Sequence, residues 1–174
     1  MREFQIDDSD ISIKEANKED LIDLNLCAKE FLQLIEDFKI NFLNRKYFTL
    51  TAYYKKLLVG ILVAEEKNHK VDSLEKIVPK TNLYLIYVNP NFRKNHIGKK
   101  ILINYLTIQK KKGIASIFVE LPHKYKKGIQ FFQYNKFHQI NKVKDKIILE
   151  INLWNDFGIR SSEFIANNLN DVFN

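Results

Sequence analysis

A chain of 174 residues is about one domain's worth, long enough to bury a continuous core and too short for two ordinary ones. Hydrophobic residues make up 45% and charged residues 28%, with 5 Gly and 3 Pro, a balance that excludes a disordered tail. The net charge of +7 is unevenly placed: residues 1–40 hold eleven acids and five bases, net −6, so the remainder sums to +13.

The start, Met1 to Asp10, is acidic and carries no apolar signal core, and no apolar run approaches the roughly 18 residues of a membrane span. A cytoplasmic protein without membrane partners is expected. Ile11 to Glu15 alternates as a short strand. Asn17 then stands as an N-cap before Lys18, Glu19 and Asp20, where acids suit a helix start, and the spacing predicts a helix to about Phe38. The single cysteine, Cys27, lies in that helix's apolar pattern with Leu21, Leu24, Phe31 and Leu34. It reads as a core residue, and no disulfide framework or cysteine metal site is available. Tyr47 to Tyr54 and Leu57 to Glu65, rich in aromatic and β-branched residues and parted by Lys55 and Lys56, predict a hairpin. Residues 66–80 are polar and broken by Pro79, a loop. Leu83 to Val88 is a nearly unbroken apolar run, the pattern of a central strand buried on both faces.

Pro90 cannot donate a ladder hydrogen bond and ends that strand. The next periodic segment runs from about Gly98 to Lys112, with Ile101, Leu102, Tyr105 and Leu106 on one face, and Gly113 closes it. Ala115 to Leu121 is a further apolar strand, so the two strands and the helix between them form a βαβ unit with parallel strands. A helix over Lys126 to Asn135 and a strand over Lys146 to Leu153 complete a domain of residues 1–154. Residues 155–174, turning at Gly158, read as an amphipathic tail that covers the sheet or pairs with a second subunit as a homodimer.

The loop from Pro90 to the second helix combines first-turn backbone N–H groups with the positive end of the helix dipole, an arrangement suited to an anion. Gly98 lets a pyrophosphate approach the backbone, and Arg93, Lys94, Lys99 and Lys100 stand near to neutralise it. From Arg93 to Lys127 there are ten Lys or Arg and one acid, Glu120. Two readings of this run stay open: a field that attracts phosphate, and the solvated face of a lysine-rich helix. Lys110 to Lys112 fit the second, as cations at a helix C-terminus.

Val88, Pro90, Arg93, Ile97, Gly98 and Leu102 stand in the frame V-x-P-x-x-R-x-x-x-I-G-x-x-x-L, which resembles the coenzyme A loop of the GNAT N-acyltransferase superfamily. Residues 11–24 (ISIKEANKEDLIDL) are similar to that family's opening strand and helix, and residues 128–137 (GIQFFQYNKF) to a later helix and the aromatic after it. The resemblance covers about residues 11–153. It implies an α/β fold, α+β in some schemes: a mixed, mostly antiparallel central sheet with helices on both faces and a parallel, splayed pair of strands, 83–89 and 115–121. In the slot of that pair pantetheine would lie against backbone groups of Ile86, Tyr87 and Val88, while the pyrophosphate would sit on the loop formed by Arg93, Lys94, Asn95, His96, Ile97, Gly98 and Lys99.

The implied activity is transfer of an acyl group, with acetyl-CoA as donor, to an unidentified amine by direct attack on the thioester. The sequence departs from the family pattern at four places. His96 stands at the first glycine of the loop, Phe132 at a tyrosine that protonates the departing thiolate, Lys136 at a glycine before the last aromatic, and Tyr125 at an asparagine that opens the late helix. Tyr134 is the substitute candidate for the acid. For the base, Glu120 is the leading candidate, with Glu65, Glu66 and His123 behind it, and Tyr84 and Tyr87 are candidates to line the acceptor pocket. The alternative is a catalytically degenerate acyl-CoA-binding or partner-binding module on the same fold. The basic stretch also admits tRNA as a partner. No metal is implied, since His69, His96, His123 and His138 have no ligand spacing.

Overall fold

The computed structural model describes residues 6–67 and 78–154. The tail expected over 155–174 and most of the loop expected over 66–80 lie outside the described residues. The elements in chain order are β1 (Ile11–Glu15), α1 (Leu21–Leu32), α2 (Phe38–Leu43), β2 (Tyr47–Tyr54), β3 (Leu57–Glu65), β4 (Lys80–Val88), α3 (Ile97–Lys111), β5 (Ser116–Pro122), α4 (Lys126–Tyr134), β6 (His138–Val143) and β7 (Lys146–Asn152). The described residues form a seven-stranded sheet ordered β1-β2-β3-β4-β5-β7-β6. Its pairings are antiparallel at β1/β2, β2/β3, β5/β7 and β6/β7 and parallel at β4/β5. Among the described residues no helix is long and apolar enough to cross a membrane.

The chain divides into two compact units, Met1–Glu66 with Tyr84–Tyr105, and Lys67–Leu83 with Leu106–Asn174. In the first, the N-cap read at Asn17 is present as a capping box: the Asn17 side chain accepts from the Glu19 N–H at 2.8 Å and Asp20 accepts from the Asn17 N–H at 2.9 Å. Buried Asp20 also takes bonds from Lys14 Nζ and the Tyr53 hydroxyl, each at 2.9 Å. The helix expected to reach Phe38 stops at Leu32, is kinked at Ala28, and gives way to α2 after Asp37 in left-handed conformation (φ 46°). Apolar residues continue through the break because both helices pack on one cluster. Leu24, Ala28 and Leu32 meet Phe38 and Phe42 over Leu58, Ile61 and Val63 of β3. Cys27 lies at its edge, half-buried, its thiol donating to the Leu58 carbonyl at 3.5 Å. Gly60, between Leu58 and Ile61, is hemmed in by α3: a Cβ there would lie 2.7 Å from Ile101 Cδ1 and 3.2 Å from Ile97 Cγ2. The absent side chain is what lets α3 approach the sheet.

In the second unit, β5 is the hub. It pairs with β4 from Lys80↔Ser116 to Leu83↔Val119 and with β7 along its whole length, from Ser116↔Asn152 to Pro122↔Lys146. Ile117, Val119, Leu149 and Ile151 are buried in the core of this unit, together with Ile129, Phe132 and Phe137. No periodicity in the sequence marks a strand between α4 and β7. β6 fills that place with all six residues exposed, held by its ladder to β7.

Candidate functional site

The loop before α3 is braced from within. The Asn89 N–H donates to the Val59 carbonyl at 2.8 Å, pinning the end of β4 to β3. Its side chain then accepts from the Asn91 N–H at 3.0 Å and caps a single 3-10 turn, Pro90–Phe92, with proline at the position where a missing N–H costs nothing. Arg93 folds back so that Nε donates to the Val88 carbonyl at 3.0 Å. Asn95 donates to the carbonyls of Phe92 and Arg93 and accepts from the Ile6 N–H. Its side chain is thus a brace for the loop.

Lys94 and His96 both have left-handed backbones (φ 65° and 56°), a conformation that occurs in the backbone concavities where amides gather an anion. α3 begins at once, its first bond running from the Lys100 N–H to the His96 carbonyl at 3.0 Å. The N–H groups of Ile97, Gly98 and Lys99 therefore belong to the turn that has no carbonyl partner in its own helix. Ile97 is buried and anchors this end. Of the cations expected around it, Lys100 is committed elsewhere: Nζ donates to the Asp8 carbonyl at 2.8 Å and sits 3.2 Å from its carboxylate. Exposed Lys99 has no such commitment among the described residues.

β4 was expected to be buried on both faces, and it is not: its first half alternates, with Lys80, Asn82 and Tyr84 exposed between buried Thr81 and Leu83. Tyr84 is 45% exposed, and Leu85 to Val88 are half-buried. The change comes where the β5 ladder ends, at Leu83. The Tyr87 ring rests on Phe31 (centroids 4.8 Å apart), and burial raises its phenol above the ordinary range. Tyr84 meets Tyr47 edge to face at 5.5 Å. Tyr47 was not singled out in the sequence; the aromatic at the start of β2 was the available signal.

The two catalytic candidates sit in ordinary surroundings. For Glu120 a partly buried base stood against the commoner outcome, a surface carboxylate, and the latter holds: it is exposed on β5 and accepts from Lys146 Nζ of β7 at 2.6 Å, both side chains 53% exposed, and that hydrogen bond, with the Glu120 charge, raises the Lys146 pKa. Tyr134 is 86% exposed. Phe132 is 4% exposed, edge-on to Phe131 and Phe137 (5.3 and 5.1 Å), so the position of the family's phenol is here a core aromatic. The other two departures carry geometry. Lys136 has φ 69°, the conformation a glycine would adopt freely. Tyr125 is the N-cap of α4 and gives no side-chain cap, whereas an asparagine would.

The profile of the acetyltransferase (GNAT) family matches residues 15–137. No individually curated protein matches. Among solved structures, a PaiA N-acetyltransferase from Thermoplasma acidophilum in complex with coenzyme A is similar with 21% identity over 82% of this chain and 98% of that one, TM-score 0.65. The ribosomal-protein-S18-alanine N-acetyltransferase of Escherichia coli is similar at 15% identity over 82% and 94% of the two chains, TM-score 0.62. Arabidopsis thaliana Naa50, in complex with the bisubstrate analogue CoA-Ac-MVNAL, is similar at 14% over 82% and 98%, TM-score 0.64. At these identities the structural likeness shows the fold.

Proposed function

The chain belongs to the acetyltransferase (GNAT) family, and on that premise we propose that it transfers an acetyl group from acetyl-CoA to the nitrogen of an amine. The observation that carries this reading is the pair of left-handed residues, Lys94 and His96, set directly before α3. Neither residue type adopts that conformation without cost, and both adopt it where it aims backbone amides at a pyrophosphate. The coenzyme supplies an acyl group already activated as a thioester, so the residues of this chain have to bind and orient it and to manage protons. The amides from Lys94 to Lys99 hold the pyrophosphate, with the Lys99 ammonium beside it. The backbone of Ile86 to Val88, half-buried and beyond the β5 ladder, orients the thioester arm and polarises its carbonyl. The coenzyme and the coenzyme-peptide conjugate held by the Thermoplasma and Arabidopsis proteins support the same donor.

Calorimetric titration with acetyl-CoA tests this reading. Wild-type protein should bind it, and Gly98→Asp, which sets a carboxylate among the first-turn amides, should weaken binding at least about tenfold through like-charge repulsion. A folded wild-type protein that fails to bind would overturn it. A second reading, a non-catalytic acyl-CoA-binding module, is favoured by one observation: Phe132 is packed into the core and Tyr134 faces water, so α4 offers no buried phenol to protonate a thiolate. Release of free thiol from acetyl-CoA in the presence of amines, above the uncatalysed rate, separates the two.

A further inference from the structure

Ahead of β1 lies a short anionic segment whose contacts run to the loop before α3. Residues 7–10 hold three carboxylates and no base. The Asp7 side chain accepts from the Ser9 N–H and the Asp7 carbonyl from the Asp10 N–H, both at 3.0 Å, which folds the segment into a single 3-10 turn, Asp8–Asp10. That turn is fastened at both ends. The Ile6 N–H donates to Asn95 Oδ1 at 3.3 Å, and the Asp10 carbonyl takes the Lys55 N–H, also at 3.3 Å. Asp8 is thereby held at Lys100, whose ammonium it meets twice, through its carbonyl at 2.8 Å and its carboxylate at 3.2 Å.

Lys100 is the fourth residue of α3. Helical side chains lean toward the N-terminus, so its ammonium is aimed back along the first turn, whose amides the acetyl-transfer reading assigns to the pyrophosphate. The pair is also weak enough to open. The Asp8 side chain is 70% exposed and that of Lys100 32%, and exposed pairs contribute little to holding a chain in place.

We propose that residues 6–10 form an anionic strap on the loop, in which Asp8 competes with a phosphate of the coenzyme for the Lys100 ammonium and so sets the loop's affinity. This rests on the acetyl-transfer reading and adds to it a residue outside the loop that acts through Lys100. An arriving phosphate finds that ammonium already neutralised, so Lys100 exchanges one anion for another and its charge adds little to binding. Removing the Asp8 carboxylate, with the main-chain contact left in place, frees that charge for the coenzyme. A mere brace for the loop would act with the opposite sign, since loosening it would weaken binding.

The experiment is calorimetric titration of acetyl-CoA into the full chain and three single variants, with thermal unfolding to confirm that each is folded. Asp8→Asn should bind about two- to fivefold more tightly than wild type, the range an exposed ion pair contributes. Asp10→Asn, which removes the same charge from the same turn but no contact to Lys100, should change affinity by less than about 1.5-fold, because the remaining influence is screened at about 0.15 M salt. Lys100→Gln should likewise change wild-type affinity by less than about 1.5-fold, yet cancel the gain when combined with Asp8→Asn, a coupling that additive effects do not produce. Unchanged or weaker binding by Asp8→Asn, an equal gain from Asp10→Asn, or the same cost of Lys100→Gln in both backgrounds would overturn the strap while leaving acetyl transfer standing. A folded wild-type protein that binds no acetyl-CoA would sink both together.

Discussion

The side chains that depart from the family pattern are informative through their backbones. Lys136 ends the turn after α4 at φ 69°, a conformation that costs an L-residue about 1–2 kcal/mol. Glycine would remove that cost but brings more unfolded-chain entropy, about 0.5–1 kcal/mol. Lys136→Gly should therefore stabilise the fold by about 0.5–1 kcal/mol, read as a higher urea midpoint; a lower midpoint would mean that the lysine side chain contributes more than its backbone loses. Asp20 is the opposite case, a residue whose surroundings favour its charge. Burial works against ionisation, but the Asn17 N–H, Lys14 and Tyr53 together outweigh it and hold the carboxyl below 3.8. Asp20→Ala should cost about 2 kcal/mol, mainly by leaving the Asn17 N–H without its acceptor and the Tyr53 hydroxyl with only the longer bond to Asp23 at 3.4 Å. Lys14, 51% exposed, adds little. Since the folded pKa is depressed, the charge contributes fully above the unfolded value, and that contribution is lost as pH falls through the folded one. The gap between wild type and variant should thus be widest near neutrality and narrow below pH 3.8; a gap that persists unchanged at low pH would show that shape, and not charge, makes Asp20 matter.

At the scale of elements, the sequence was legible where one rule decided and misleading where two coincided. The hairpin, the βαβ unit, Gly113 at the end of α3 (φ 81°) and the capping box at Asn17 all follow from local signals. The break between α1 and α2 was hidden because Leu32 and Phe38 pack on the same cluster, so apolar periodicity runs on through a turn that is not helical. β6 was invisible for the reverse reason: its six residues are all exposed, and a strand that buries nothing has no alternation to read. β4 misled in a third way, since an apolar run cannot distinguish a strand covered on both faces from one left partly open. Gly60 links such packing to the loop before α3. It lies against Ile97 and Ile101, the residues that seat the first turn of α3. Gly60→Val should cost about 1–3 kcal/mol by overpacking and should also weaken acetyl-CoA binding, because the displaced helix carries the first-turn amides with it. Thermal unfolding and calorimetry on one preparation would test this; lost stability with unchanged coenzyme affinity would mean that the loop tolerates movement of α3.

For the molecule as a whole, the sequence gives a charge contrast, −6 over residues 1–40 and +13 beyond, and left open whether the basic part serves a nucleotide or a solvated surface. At the loop Lys100 is tied to Asp8 and Arg93 Nε to the Val88 carbonyl, so the proposed site relies on backbone amides more than on side-chain charges to meet a pyrophosphate. Fixed dipoles at contact distance are screened much less than exposed ammonium groups, whose influence shrinks with the Debye length from about 10 Å at 0.1 M salt to about 3 Å at 1 M. Acetyl-CoA affinity should accordingly fall only about three- to tenfold between 50 and 500 mM sodium chloride. A loss of about a hundredfold or more would mean that the lysines from Arg93 to Lys127 act together as a field. Bulk tRNA would then be expected to compete with acetyl-CoA at low salt, since a polyanion gains most from such a surface by releasing its own counterions. With the shallow dependence, tRNA should leave the calorimetric signal for acetyl-CoA unchanged, and the remaining lysines serve as a solvated surface around a site whose grip is made by the main chain.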